Sequence, residues 1–262
     1  MNLTIYQVDA FTDTLFHGNP AAVCPLTTWL PDDLLQSIAE ENNLSETAFI
    51  IPQDDKFQIR WFTPVCEVDL CGHATLATGH VLFRHEGYAK PVITFTSRSG
   101  LLNVRRESEE LVLDFPVDHL APVSAPPGLN EAMGRPALSV FRGKDDFLAV
   151  YARQEDVEAM RPDFSLVEKI PCRGIIVTAP GRAVDFVSRF FGPQSGVAED
   201  PVTGSAHTTL VPYWAERLGK TEFRAIQVSK RRGDLRCALK GERVEIAGHA
   251  CTYMVGRIDL PF

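Results

Sequence analysis

The sequence lacks the features that would place the protein in a membrane or in an oxidising compartment. No apolar run approaches the roughly eighteen residues that a membrane-spanning helix needs. The N-terminus has no basic stretch followed by an apolar one, so we expect no signal peptide. Six cysteines occur without a single CxxC pair, which favours reduced thiols in the cytoplasm.

Basic clusters are also scarce. Lys and Arg number 26 against 34 Asp and Glu, a formal net charge of −8, and the densest basic stretch is the short SKRRG at 229–233. A chain of this charge is a poor ligand for nucleic acid or anionic membranes, and we expect neither as a partner. Its 262 residues, 45% of them hydrophobic, suffice for one large domain or two small ones.

Strand-like segments, by contrast, are abundant. Runs such as LTIYQVDAF, KFQIRWF, GIIVTA and ERVEIAG combine β-branched or alternating apolar residues between turn residues. Helical patterns are fewer, and the clearest are PDDLLQSIAEEN, GHATLATGHVLFRHEG and GSAHTTLVPYWAERLGK. This mixture predicts an α+β fold with many more strands than helices.

Two strand–turn–helix segments resemble each other half a chain apart. RWFTPVCEVDLCGHATLATGHVLF at 60–83 and RFFGPQSGVAEDPVTGSAHTTLVPYW at 189–214 both begin with Arg, two aromatic residues, one further residue and Pro. After three additional residues in the second segment, an offset of 132 aligns Glu67 with Glu199, Cys71 with Thr203, and Gly72 with Gly204. This register predicts a duplicated unit, with two unrelated segments as the alternative.

Each segment enters its helix at a glycine and a polar residue: Gly72 and His73, then Gly204 and Ser205. The first N–H groups of a helix have no partner within the helix and carry partial positive charge, so they bind carboxylates well. Glycine lets a ligand approach the backbone closely. If two such units face each other, both helix starts point into one cleft for a small anionic substrate. Simple N-capping by Asp200 or Ser205 is the alternative explanation.

A third segment, LSETAFI at 44–50, places Glu46 among apolar and hydroxyl residues. A carboxylate in such surroundings suits a general acid or base near neutral pH. A surface glutamate in a helix-to-strand turn would produce the same local sequence, so the sequence leaves both interpretations open.

The segments YQVDAFTDTLFHGNPAAV, LSETAFI, RWFTPVCEVDLCGHATLATG and GVAEDPVTGSAH together resemble the PhzF-like (phenazine biosynthesis PhzF) isomerase family, which is related to diaminopimelate epimerase. The resemblance extends over nearly the whole chain. It implies two similar domains related by a pseudo-twofold axis, each a strand-rich, barrel-like half around a central helix, with the active site between them. We place the first domain at 1–116, allowing the C-terminal strand to return to it, and the second at 117–262.

The same resemblance assigns roles to individual residues. It implies that Glu46 shuttles a proton and that His73 and Asp200 complete the catalytic set. The residues that it implies for substrate binding are Gly72, Gly204, Ser205 and Asn19, the last in the HGNP loop, where a simple turn before Pro20 is the alternative. It also implies a small carboxylate substrate, no metal, no organic cofactor and a homodimer.

Three positions depart from the family pattern. Epimerase relatives carry a thiol before each helix glycine, whereas here Cys71 has Thr203 as its counterpart, so a two-thiol racemisation lacks half of its machinery. QVSKRRG lacks the glycine that many members carry directly after the glutamine, so we expect the pocket to differ there. Pro212 lies inside the second central helix, and we expect it to kink or shorten that helix.

Three other functions remain open on the sequence alone. A serine hydrolase would use Ser205 with His207, but residues i and i+2 do not face each other on a helix and no GxSxG motif is present. A metal site would use Cys66, Cys71 and His73, but no second group of ligands accompanies them. A non-catalytic protein that binds a small carboxylate would use the same cleft, and only the acid/base residues argue against it.

Overall fold

The computed structural model describes residues 2–260. The chain forms two compact units: the residues up to Asp114 together with those from Ala247 onward, and Phe115–Ile246. The sequence-based division was 1–116 and 117–262, with the C-terminal strand allowed to return to the first domain. In the structure the final strand belongs to the first unit, where it pairs antiparallel with the first strand of the chain.

The first unit is built mainly of strands. The strands are β1 (Asn2–Ala10), β2 (Asn19–Pro25), β3 (Glu46–Gln53), β4 (Lys56–Phe62), β5 (Glu67–Val68), β6 (Val92–Ser97), β7 (Gly100–Glu107) and β8 (Glu110–Pro116). The helices are α1 (Asp32–Asn42) and α2 (Gly72–Arg84). β1 is antiparallel to β2, β2 is parallel to β3, and β4 is antiparallel to β3 and β5 but parallel to β6. The antiparallel strands β7 and β8 follow β6.

The second unit contains the next group of elements. Its strands are β9 (Ala121–Val123), β10 (Ser139–Arg142), β11 (Asp146–Val150), β12 (Gly174–Pro180), β13 (Phe186–Gly192), β14 (Val197–Asp200), β15 (Glu222–Gln227), β16 (Gly233–Lys240) and β17 (Arg243–Gly248). Its helices are α3 (Leu129–Met133), α4 (Gln154–Glu158), α5 (Phe164–Val167) and α6 (Gly204–Leu218). β18 (Ala250–Asp259) then returns to β1.

The strands β10–β16 repeat the pairing pattern of β1–β7. The order of neighbours is antiparallel β10 and β11, parallel β11 and β12, antiparallel β12 and β13, antiparallel β13 and β14, parallel β13 and β15, and antiparallel β15 and β16. The registers agree with the sequence repeat, because Trp61 pairs with Val68 and its counterpart Phe190 pairs with Asp200. The two units therefore share one topology, as a duplication requires, and the α+β prediction is confirmed.

The same ion pair stabilises the turn before the central helix in each unit. Nε and NH2 of Arg60 donate to the two carboxylate oxygens of Glu67, each at 2.7 Å. Arg189 donates in the same way to Glu199, at 2.7 and 2.9 Å. Bidentate pairs of this kind fix geometry as well as adding stability. They hold each turn so that the following helix starts at a defined place.

The central helix of the first unit, α2, is enclosed by strands of that unit. α2 packs against β1, β2, β3, β7 and β18, and most of its residues are buried. Its Gly79 lies against Val104 of β7, where a Cβ atom would come within 2.7 Å of a valine methyl group. Among the described residues, no helix has both the length and the apolar composition needed to cross a membrane.

Helix α6 continues through Pro212 to Leu218, so of our two expectations, a kinked or a shortened helix, the shortening is wrong. Proline removes the N–H that would bond the carbonyl four residues earlier, that of Thr208. The backbone N–H of Asp118 donates to this carbonyl instead, at 3.2 Å. The lost helical hydrogen bond is thus replaced by one from outside the helix.

Candidate active site

Glu46 is the first residue of β3 and directly follows a tight turn. Asn43, with a φ of 48°, ends α1 in the left-handed conformation that asparagine tolerates, and the chain then enters β3. The parallel pairing of β2 with β3 sets Glu46 opposite Ala21, two residues after Asn19. Asn19 is fully buried, and its Oδ1 accepts a hydrogen bond from the Ser45 hydroxyl at 3.3 Å. This end of the two strands therefore gathers polar side chains.

The structure brings Glu46 and His73 together. Oε2 of Glu46 lies 3.1 Å from Nε2 of His73, and the side chains are 16% and 5% exposed. Both atoms are enclosed, yet neither forms a hydrogen bond with a described residue. The two atoms are thus close enough for an ion pair, but they are not oriented for a hydrogen bond to each other.

His73 also contacts Cys71, whose Sγ lies 3.5 Å from Nδ1. Burial opposes a charge on His73, but contacts with Cys71 and Glu46 outweigh it and raise the pKa of His73 well above its ordinary value. Burial and then the Glu46 carboxylate raise the pKa of the Cys71 thiol to about 11. The Glu46 carboxylate thus contributes to the raised pKa of both of its neighbours, the His73 imidazole and the Cys71 thiol.

Glu46, Cys71 and His73 each offer one possible metal ligand, and these atoms lie within 4.8 Å of one another. The imidazole, however, faces its two neighbours with different nitrogens, Nδ1 toward Cys71 and Nε2 toward Glu46. A metal ion binds one ring nitrogen and leaves the other to a hydrogen bond. The ring therefore lies between its partners, an arrangement suited to proton transfer. Cys66, which the alternative of a metal site would have used, is exposed and outside this group.

At the start of α6, Thr203 occupies the position that Cys71 has in α2. Its hydroxyl donates to Oδ2 of Asp200 at 2.6 Å, and its backbone N–H donates to Oε1 of Gln227 at 2.8 Å. The Gln227 amide also donates to the Asp200 carbonyl oxygen at 2.7 Å. Asp200 is thus anchored through both its side chain and its backbone.

Ser205 contacts a cation. NH1 of Arg173 donates to the Ser205 hydroxyl at 3.1 Å, while Nε and NH2 of the same guanidinium pair with the carboxylate of Asp146. Burial raises the pKa of Asp146, and Arg173 opposes that shift. The guanidinium therefore places a positive charge, fixed by a buried carboxylate, beside the first turn of α6.

His207 does not contact Ser205. Its Nδ1 is 2.9 Å from the Thr203 carbonyl oxygen, to which it donates, and burial lowers its pKa to about 4. A neutral, fully buried histidine bonded to the backbone is structural. Among the described residues the structure thus offers no Ser205–His207 contact for a serine hydrolase.

Neither central helix is capped by the side chain at its N-terminus. Cys71 and Thr203 both have extended backbone conformations and form no side-chain cap. Their side chains turn instead to His73 and Asp200. Helix starts of this kind keep their N–H groups for another partner, and an anion suits them.

Three polar residues at the second helix start were not predicted as site residues from the sequence: Asp146, Arg173 and Gln227. Arg173 and Asp146 lie in no recognisable motif and are brought to α6 by the parallel pairing of β11 and β12. Gln227 was noted only for the glycine missing after it, although an isolated glutamine in a buried strand is itself a signal.

The chain is similar to known proteins over nearly its whole length. The family model for phenazine biosynthesis-like proteins (PhzC-PhzF) matches residues 8–256. A Pseudomonas aeruginosa protein described as an uncharacterized isomerase is 55% identical over 260 residues, which cover 99% of this chain and 100% of the relative. The crystal structure of an Enterococcus faecalis phenazine biosynthesis protein of the PhzF family has a TM-score of 0.96 at 45% identity, covering 99% of this chain and 100% of the other.

A more distant structure shows how widely the fold is shared. A probable proline racemase from Agrobacterium radiobacter has a TM-score of 0.66 at 12% identity, covering 98% of this chain and 93% of the other, which shows the fold alone. The family model matches nearly the whole chain, and the relative that is 55% identical is described as an isomerase. The chain belongs to the phenazine biosynthesis-like (PhzC-PhzF) family and is an isomerase.

Proposed function

We propose that this isomerase moves a proton between two carbons of a small carboxylate substrate, with Glu46 as the acid/base and without a cofactor. The contact between Glu46 and His73 carries the proposal, because two enclosed atoms 3.1 Å apart both lack a hydrogen bond. Unsatisfied buried polar groups cost stability, and each one calls for an explanation. Of the eight such side-chain atoms among the described residues, these two belong to titratable groups that lie directly against each other. A substrate would supply the partner that the protein leaves out.

A single carboxylate can both remove and return the proton. Glu46 takes a proton from one carbon, the electron pair moves into the adjoining conjugated system, and Glu46 returns the proton to another carbon. His73 lies directly beside the carboxylate and, when charged, stabilises it before the proton arrives. The enzyme ends each cycle in its starting protonation state, so no oxidant or reductant is needed.

Each unit offers backbone groups that suit a small carboxylate. The N–H groups at Gly204 and Ser205 in the second unit, and that of Gly72 in the first, can bind a carboxylate, and the uncapped helix starts support this assignment. Asp200 accepts a hydrogen bond from a polar substituent, and Asn19 helps to line the site. Substrates of this class are small acids with an acidic C–H next to a conjugated system, cyclic dihydroaromatic acids among them.

Thermal-shift screening of such acids against the purified protein, followed by NMR in D₂O on each hit, tests the proposal. We expect at least one hit to take up deuterium at a carbon and to rearrange. Glu46→Gln should remove both, whereas Glu40→Gln, which changes an exposed glutamate of α1, should not. Tight binding of several acids without deuterium uptake would favour the non-catalytic alternative. The homodimer and the cytoplasmic location stay predictions, and size-exclusion chromatography with light scattering tests the first.

A further inference from the structure

Gln227, the last residue of β15, is fully buried beneath the start of α6. Its Oε1 accepts the Thr203 N–H at 2.8 Å, and its Nε2 donates to the Asp200 carbonyl oxygen at 2.7 Å and to the Thr203 hydroxyl at 3.2 Å. One side-chain amide thus fastens both ends of the turn that leads from β14 into α6.

These hydrogen bonds have a defined direction. A backbone N–H can only donate, so the oxygen of the Gln227 amide faces Thr203 N and the amide nitrogen faces the hydroxyl. The hydroxyl therefore accepts from Gln227 and has its single proton left to donate. That proton goes to Oδ2 of Asp200, 2.6 Å from the Thr203 oxygen.

The first unit lacks this arrangement. The strand registers place Val68 where the second unit has Asp200, and Ser97 where it has Gln227. The Ser97 hydroxyl donates to the Gly100 carbonyl oxygen at 3.0 Å. The Gln227 amide is thus present in the unit that has a carboxylate, Asp200, at this position. The first unit has Val68 at the equivalent position and lacks the amide.

We infer that Gln227 is a positioning residue for Asp200. Acting through the Thr203 hydroxyl, it fixes the orientation in which the Asp200 carboxylate meets the substrate. The inference rests on the proposed function, in which Asp200 binds a polar substituent, and it adds the chemistry of that substituent. Because a carboxylate accepts, the substituent must donate, as an amino or hydroxyl group does.

Calorimetric titration with benzoate and the three isomeric aminobenzoates tests this inference without any turnover. We expect the wild type to bind at least one aminobenzoate about tenfold more tightly than benzoate, the value of one hydrogen bond to a charged acceptor. Asp200→Asn should largely remove that preference. Thr203→Val removes only the hydroxyl, whereas Gln227→Glu replaces the amide donors with a buried carboxylate. Each should reduce the preference to about twofold or less, and Thr203→Val should do so with benzoate affinity unchanged. The double variant should reduce the preference no further, because both residues act through one hydroxyl.

Gln194→Glu is a control for the chemical change alone, since the exposed Gln194 amide donates to the carbonyl oxygens of Val167 and Ile170 in the same unit. It should leave the preference intact. Three results would overturn the inference. The wild type could show no preference for an aminobenzoate, a folded Thr203→Val protein could keep the preference, or a variant could lose benzoate and aminobenzoate affinity equally. If the Gln227→Glu protein does not fold, the Thr203→Val protein alone still tests whether the hydroxyl orients Asp200. The proposed function fails separately, through deuterium uptake that persists in Glu46→Gln.

Discussion

Oε2 of Glu46 lies 3.1 Å from Nε2 of His73, and neither atom is hydrogen-bonded within the described part of the chain. The two residues come from different elements, the first residue of β3 and the first turn of α2. Parallel pairing of β2 with β3 and the packing of α2 against both strands bring them together. The pair is therefore a product of the tertiary fold, and its properties can be measured directly.

The first prediction concerns the charge on His73. Its pKa in the folded protein lies above the ordinary value, so its contribution to the free energy of unfolding is complete below about pH 6.5 and is lost as the pH rises through the raised pKa. Glu46→Gln removes the neighbouring carboxylate and should lower the pKa of His73, as NMR titration of the ring would show. Urea unfolding should reveal a larger loss of stability at pH 6 than at a pH above the raised pKa, which the same NMR titration of the wild type locates. An equal loss at both pH values would contradict the ion pair.

The second prediction concerns the thiols. Cys71 is protonated at neutral pH and has Thr203 as its counterpart, so no thiol pair is available for catalysis. We expect Cys71→Ala to keep proton exchange within about tenfold of the wild type, the value of one hydrogen bond to a charged group, because only the contact with His73 is lost. Iodoacetamide at pH 7 should leave Cys71 unmodified. Loss of exchange in Cys71→Ala together with full exchange in Glu46→Gln would restore thiol chemistry to the mechanism.

Sequence patterns predicted the local elements better than the contacts between them. The glycine-plus-polar motif correctly marked where both central helices begin, at Gly72 and Gly204. The pairing of β18 with β1 was left open because strand patterns do not specify distant partners. Pro212 does not shorten α6 as one of our two expectations had it, because its compensating donor, the Asp118 N–H, is distant in sequence.

The candidate site shows the same division. Family motifs pointed to Glu46, His73, Asp200 and Ser205, but no local pattern pointed to the residues that hold them. Arg173, the residue before β12, donates to Ser205, and Gln227, the last residue of β15, accepts from the Thr203 N–H. Supporting contacts of this kind depend on strand register, which the sequence alone does not specify.

The third prediction concerns the ion pair that precedes each central helix, Arg60 with Glu67 and Arg189 with Glu199. Arg189 is 9% exposed, binds Glu199 with both ends of its guanidinium and also donates to the carbonyl oxygens of Val157 and Met160. Arg189→Met should lower the free energy of unfolding by about 3 kcal/mol, because it leaves a partly buried carboxylate without its partner. Arg257→Met, which breaks an exposed pair, is the control and should change it by less than about 0.5 kcal/mol in urea titrations. Similar losses for both variants would contradict this account.

The fourth prediction concerns the close packing of α2. Alanine normally favours a helix over glycine by about 1 kcal/mol. At Gly79, however, the new Cβ would lie 2.7 Å from Cγ1 and 3.3 Å from Cβ of Val104, a stiff, buried side chain. We therefore expect Gly79→Ala to destabilise the protein by about 1–3 kcal/mol. Adding Val104→Ala should recover part of the loss, and a stabilised Gly79→Ala protein would show that the contact is looser than described.

Solvent exchange in the Glu46→Gln variant tests the central claim most directly. The substitution keeps the shape of the side chain and removes its acid/base function, so the substrate should still bind with nearly wild-type affinity. Deuterium uptake at the substrate carbon, followed by NMR in D₂O, should fall by about 10²–10⁴-fold, the usual contribution of a general acid/base. Asp200→Asn, measured alongside, should weaken both binding and exchange. If the Glu46→Gln protein exchanged the substrate C–H at the wild-type rate, Glu46 would be a structural residue and the proposed mechanism would be wrong.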